Sequence, residues 1–149
     1  MLMRTLLVLS LMIFGVTPVA AADRPSSIEV WKSRTCECCG AWVKHLEANG
    51  FAVTVNDADS GALAALKRQA GIGDKLASCH TAKFDGYVIE GHVPGSDIKR
   101  LVAERPDAIG LTAPGMPIGS PGMEQGAEFE PYDVLLIRKD GATEVFAKH

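Results

Sequence analysis

Alternating apolar and polar positions divide the chain beyond Ala22 into short elements. Ser27 to Lys32 reads as a strand that stops at a group of cysteines. From Cys39 the positions Cys39, Trp42, Val43 and Leu46 follow the i, i+3, i+4, i+7 spacing of one helix face. Asn49-Gly50 closes that helix with residues that tolerate a left-handed backbone. Phe51, Val53 and Val55 alternate with Ala52, Thr54 and Asn56 as a second strand. Asp59 or Ser60 then caps a helix that bears Leu63 and Leu66 and ends at Gly71.

The second half is less regular. A loop from Gly71 to Gly86 carries Cys79-His80, and Tyr87 to Val93 reads as a short strand. Pro94-Gly95-Ser96 starts a helix with Ile98, Leu101 and Val102 on one face, and Pro106 ends it by removing a donor and crowding the preceding turn. Thr112 to Gly122 is too dense in proline and glycine for regular structure, and reads as a shaped loop holding Met116, with Met123 at its end. Tyr132 to Ile137 and Thr143 to Ala147 read as strands joined across Asp140-Gly141, a pair suited to a tight turn with two positive φ angles.

The first 22 residues change the setting. Arg4 supplies a positive charge, Leu6 to Val16 is an apolar run, and Ala20-Ala21-Ala22 offers an A-x-A cleavage site. Residues 1–22 read as a signal peptide, too short in apolar length for a membrane helix, which needs about 20 residues. Residues 23–149 then form a single exported domain, expected in the periplasm and off the membrane after cleavage. The net charge of -3 and the lack of a basic run disfavour nucleic acid as a partner.

Four cysteines carry the chemistry: Cys36, Cys38, Cys39 and Cys79. Cys36 and Cys39 form a C-x-x-C at a helix start, where unpaired amides and the helix dipole stabilise a thiolate. Cys39 lies on the apolar stripe and is expected half buried, with Cys36 more exposed at the cap. Structural disulfides staple little here, because the pairings link one helix cap to itself and to one loop. A thiol-disulfide oxidoreductase would use Cys36 and Cys39. A soft-metal thiolate site uses all four, and thiolates select Cu(I), while zinc prefers spaced C-x2-4-C pairs. Sulfurs this close suggest bridging between several Cu(I) ions.

Cys36-Glu37-Cys38-Cys39-Gly40, Ser78-Cys79-His80-Thr81-Ala82, Gly86 to Pro94 and Pro114 to Glu124 together resemble the CopG-type family of exported CxCC copper-resistance proteins. The resemblance implies a thioredoxin-like α/β fold, copper on the cysteines, and a part in copper resistance, including interconversion of Cu(I) and Cu(II). In that fold a cis-proline loop faces the C-x-x-C, one strand runs away from the site, and a hairpin returns another. Ala113 to Met123 is expected to be that loop, with Met116-Pro117 or Ser120-Pro121 as the cis bond. The Cys79 segment and its helix become an insertion in a central mixed sheet flanked by helices, and the C-terminal hairpin supplies the two strands.

This layout names secondary ligands. Met116 and Met123 sit in the loop expected to face the thiols, and thioethers suit Cu(I). The returning strand would bring His149 towards the site, and His80 adjoins Cys79. His45 lies too far along its helix to share an ion with Cys38, and His92 is expected to make only a structural hydrogen bond. Glu37 is weighed as a solvated side chain or an attractor of cationic copper. A copper efflux or redox partner would follow from a copper role, and a passive copper chaperone is the alternative without turnover.

Overall fold

The computed structural model describes residues 27–149; the signal peptide reading at 1–22 lies outside them. Seven strands form one mixed sheet in the order β2-β1-β3-β4-β5-β6-β7. They are β1 (Ser27–Lys32), β2 (Ala52–Asp57), β3 (Thr81–Phe84), β4 (Tyr87–Gly91), β5 (Ala108–Ala113), β6 (Asp133–Arg138) and β7 (Thr143–Lys148). Three α-helices connect them: α1 (Glu37–Ala48), α2 (Ser60–Gln69) and α3 (Gly95–Glu104). β1 pairs parallel with β2 and antiparallel with β3, β4 pairs parallel with β5, and the remaining neighbours are antiparallel. No described helix is long and apolar enough to cross a membrane.

Side chains alternate across each strand, so the two sheet faces differ. Ile28, Val30, Ala82, Ile89 and Leu111 point to one face and pack with Trp42, Val43 and Leu46 of α1 and Ile98 and Leu101 of α3. Thr81 and Glu90 point to the other, where α2 supplies Lys67. Asp59 caps α2 as expected, its carboxylate accepting from Ala62 N–H at 2.8 Å.

The second half departs from the sequence reading at several points. Residues 81–84 are a strand, where a loop was expected, and Asp85-Gly86 forms the tight two-residue turn, both with positive φ. At 140–141 only Gly141 has positive φ, and Arg138 N–H reaches Ala142 O at 2.9 Å around a wider loop. β5 extends over residues where no strand was expected. β3 and β4 pair antiparallel as a hairpin in the middle of the sheet, between β1 and β5. Cys79 lies in the connection that leads into β3, just outside that strand. No described peptide bond is cis, so the expected cis proline at Met116-Pro117 or Ser120-Pro121 is absent from this structure.

Candidate metal centre

The site assembles where β1 ends and α1 begins. Cys36 precedes the helix, its C=O accepting from Gly40 N–H at 3.2 Å, which places Cys38 and Cys39 in the first turn. The register pairing Trp31 with Thr81 brings the segment before β3 alongside that turn. Cys79 Sγ therefore lies 3.3 Å from Cys39 Sγ, although 40 residues separate them. Cys38 Sγ lies 3.4 Å from Cys36 Sγ. The four sulfurs are all within 4.8 Å of one another. Cys36 and Cys39 are joined as a disulfide, and Cys38 and Cys79 are free. Cys39 is fully buried, more than its place on the helix stripe suggested, and the other three are half-buried.

Two imidazoles extend the cluster inward. His80 Nδ1 lies 3.3 Å and His92 Nε2 3.2 Å from Cys79 Sγ, so Cys79, His80 and His92 form a second set of convergent donors. His92 Nδ1 is 2.8 Å from Pro121 O. A carbonyl only accepts, so Nδ1 carries the hydrogen and Nε2 presents its lone pair to the sulfur. His80 is buried against the Trp42 ring at 4.3 Å, and its Nε2 has no partner among the described residues. Burial holds both imidazoles below the ordinary histidine range, favouring the neutral, ligating form. Burial, reinforced by Cys38, pushes the Cys79 thiol up to about 11. A bound cation at Cys79 would reverse that preference by stabilising the thiolate.

The outer side opens to a cleft of about 630 Å³ lined by Cys36, Glu37, Cys38, Met116, Met123 and Glu124. Both methionines thus border the thiols. The loop holding them is packed on the cysteine helix at Gly122, where a Cβ would come within 2.7 Å of Cys38 O and Trp42 N. His149 goes elsewhere. Its Nε2 lies 2.8 Å from Asp97 Oδ2 in α3 and its ring stacks on Tyr132, so α3 receives the end of β7 where the sulfur cluster was expected to. His45 also serves α3, accepting from Gly95 N–H at 3.0 Å, in keeping with its distance from the thiols along α1.

His92 is the site residue that sequence reasoning missed. Its signal was present in the Gly86–Pro94 segment, but the residue it faces, Cys79, is brought to it only by the β3–β4 pairing.

The fold and the cluster define a mixed α/β protein with a sulfur-rich site able to take a soft metal ion. A family model described as "Protein of unknown function, DUF411" matches residues 76–123, a span containing Cys79, His80, His92, Met116 and Met123. Two solved structures of copper resistance protein CopG, Form 1 and Form 2, are each 43% identical, with 84% of this chain and 98% of theirs covered and a TM-score of 0.77. No match was found among curated proteins. The chain belongs to the CopG copper resistance protein family.

Proposed function

We propose that this protein is a periplasmic copper-handling protein that takes Cu(I) as cargo on the thiolates of Cys36, Cys38, Cys39 and Cys79. The observation that carries this reading is the convergence of four sulfurs within 4.8 Å. Thiolates select Cu(I), and the adjoining imidazoles of His80 and His92 also accommodate Cu(II). The thioethers of Met116 and Met123 suit Cu(I) at the mouth. A thioredoxin-like fold is supported by the order β2-β1-β3-β4, in which β3 alone runs opposite to the other three. Export rests on residues 1–22, and a periplasmic efflux or redox partner would receive the ion.

The Cys36–Cys39 disulfide favours a redox extension of this role. Two thiolates that close into a disulfide release two electrons, which reduce two Cu(II) ions to two Cu(I). Reopening consumes two electrons from an external dithiol, which itself closes to a disulfide. The same pair supports the second reading, a thiol-disulfide oxidoreductase without metal.

Anaerobic titration of the reduced mature protein with Cu(I) tests both. Stoichiometric uptake that weakens in Cys38→Ser is expected, and the ratio of copper to protein separates one ion from a bridged cluster. Absence of uptake, together with disulfide reduction activity that survives Cys38→Ser and dies with Cys36→Ser, would establish the oxidoreductase instead.

A further inference from the structure

Behind the sulfur cluster, on the α2 face of the sheet, lies a buried ionic group that copper binding does not itself require. Glu90 of β4 is fully buried, and its carboxylate takes three donors: Lys67 Nζ at 2.5 Å, Ser78 N–H at 2.6 Å and Thr81 Oγ1–H at 2.6 Å. The Lys67 side chain is itself only 13% exposed. Stability does not account for this arrangement. Desolvation offsets much of the attraction within such a pair, and well-packed apolar residues of similar volume often leave a protein as stable or more so.

A carboxylate does one thing here that an apolar side chain does not. Ser78 lies in no helix or strand, and its main-chain N–H is accepted by Glu90 Oε1. Ser78 and Thr81 bracket Cys79-His80, so one side chain anchors both ends of the segment that delivers the fourth sulfur. The reach extends further, because the Ser78 hydroxyl donates to Gly115 O, and Gly115 N–H returns to Ala77 O at 3.1 Å. Met116 follows directly.

We infer that Glu90 is a positioning residue of the site: by accepting from Ser78 and Thr81 it fixes Cys79 Sγ against Cys39 and ties the Met116 loop to the same segment. Its effect on copper rests on the proposed function, whereas the positioning of Cys79 does not.

The test compares the wild-type mature chain, Glu90→Gln, and the double variant Glu90→Leu with Lys67→Met, which avoids leaving a buried ammonium unpaired. The main readout is alkylation of Cys79 relative to Cys38 in the form with the Cys36–Cys39 disulfide, resolved by mass spectrometry. Global loosening exposes both thiols, whereas lost positioning exposes Cys79 alone. The double variant leaves the Ser78 N–H and the buried Thr81 hydroxyl without their acceptor and is expected to melt lower than wild type, yet in its folded form to raise the Cys79 to Cys38 ratio at least about tenfold, the effect of losing hydrogen bonds to a charged group. Cu(I) affinity is expected to fall about tenfold with it. Hydrogen exchange on the wild type needs no variant: the Ser78 amide is expected to be protected like a strand amide. Glu90→Gln keeps an acceptor for Ser78 N–H and is expected to stay within about threefold of the wild-type ratio. An unchanged ratio in the double variant, or Ser78 exchange at the rate of an open loop, overturns the inference. A raised ratio in a protein whose wild type takes up no Cu(I) leaves the positioning standing and removes the copper reading.

Discussion

The outer and inner halves of the sulfur cluster are built differently. Cys36 and Cys38 stand at the helix cap, half-buried, beside a cleft edged by Met116, Met123 and two glutamates. Cys39 and Cys79 lie deeper, 3.3 Å apart, with His80 and His92 beyond them. The outer half owes its position to one local turn of helix. In the inner half only Cys39 shares that turn: Cys79 and the imidazoles depend on sheet pairing, on the Ser78–Glu90 hydrogen bond, and on a loop carbonyl at Pro121 that sets the His92 tautomer. On the proposed copper reading, exchange with solvent or a partner would belong to the outer sulfurs, and retention to the inner ones.

The sharpest way to break this comparison is to remove one sulfur from each half. Cys79→Ser is expected to cost more Cu(I) affinity than the roughly 10–100-fold typical of a lost outer-shell partner, and more than Cys38→Ser, in competition with a Cu(I) chelator. Equal losses would show that depth does not matter. Gly122→Ala comes next, because its methyl would meet the backbone of Cys38 and Trp42 at 2.7 Å and Gly122 has a φ of +86°. Strain and overlap of this kind cost about 1–3 kcal/mol each. Urea unfolding should report that loss, and Met123 should become more reactive towards oxidants. Stability unchanged by the substitution would mean that the loop is not seated on α1.

A smaller effect concerns pH. Burial keeps His80, His92 and His45 below the ordinary histidine value of 6.5. Below that value the unfolded chain takes up protons that the folded one refuses. Their stabilisation is thus full above 6.5 and is lost as pH falls towards the lowered folded values. Glu90, raised by burial, acts in the opposite sense nearer the carboxylate range, but it is one group against three. The metal-free protein should melt several degrees lower at about pH 5.5 than at about pH 7.5. A flat profile would contradict the buried, neutral state of the inner imidazoles. The least effect is expected from Met116→Leu, which preserves volume: equilibrium Cu(I) affinity should hold within about threefold while uptake slows, as seen by stopped-flow absorbance.

The first βαβα of the fold was legible because each element carries its own period over a full length, from Ile28 and Val30 through Leu63 and Leu66. The cysteine cap was legible for the same reason, since Cys36, Cys38 and Cys39 are close in sequence. β3 was not, because four residues with one Lys present no alternation long enough to register. β5 was missed where Gly110 interrupts its pattern and the pairing register shifts. The Asp-Gly signal was sound, but it marks the tight turn at Asp85-Gly86 and a wider loop at Asp140-Gly141. Glu90 offered a clue, a lone acid within Tyr87-Val88-Ile89-Glu90-Gly91. Its partners Ser78 and Lys67 are 12 and 23 positions away and meet it only through the sheet and α2.

The pairing of Trp31 with Thr81 has a kinetic consequence. The two segments that carry the sulfurs are riveted to adjacent strands of one ladder, so they cannot spread apart without breaking main-chain bonds next to the core. An ion held between them would leave by successive ligand substitution at the cleft, each step needing an incoming donor. Its release should accordingly be second order, accelerating with acceptor concentration, and very slow into plain buffer.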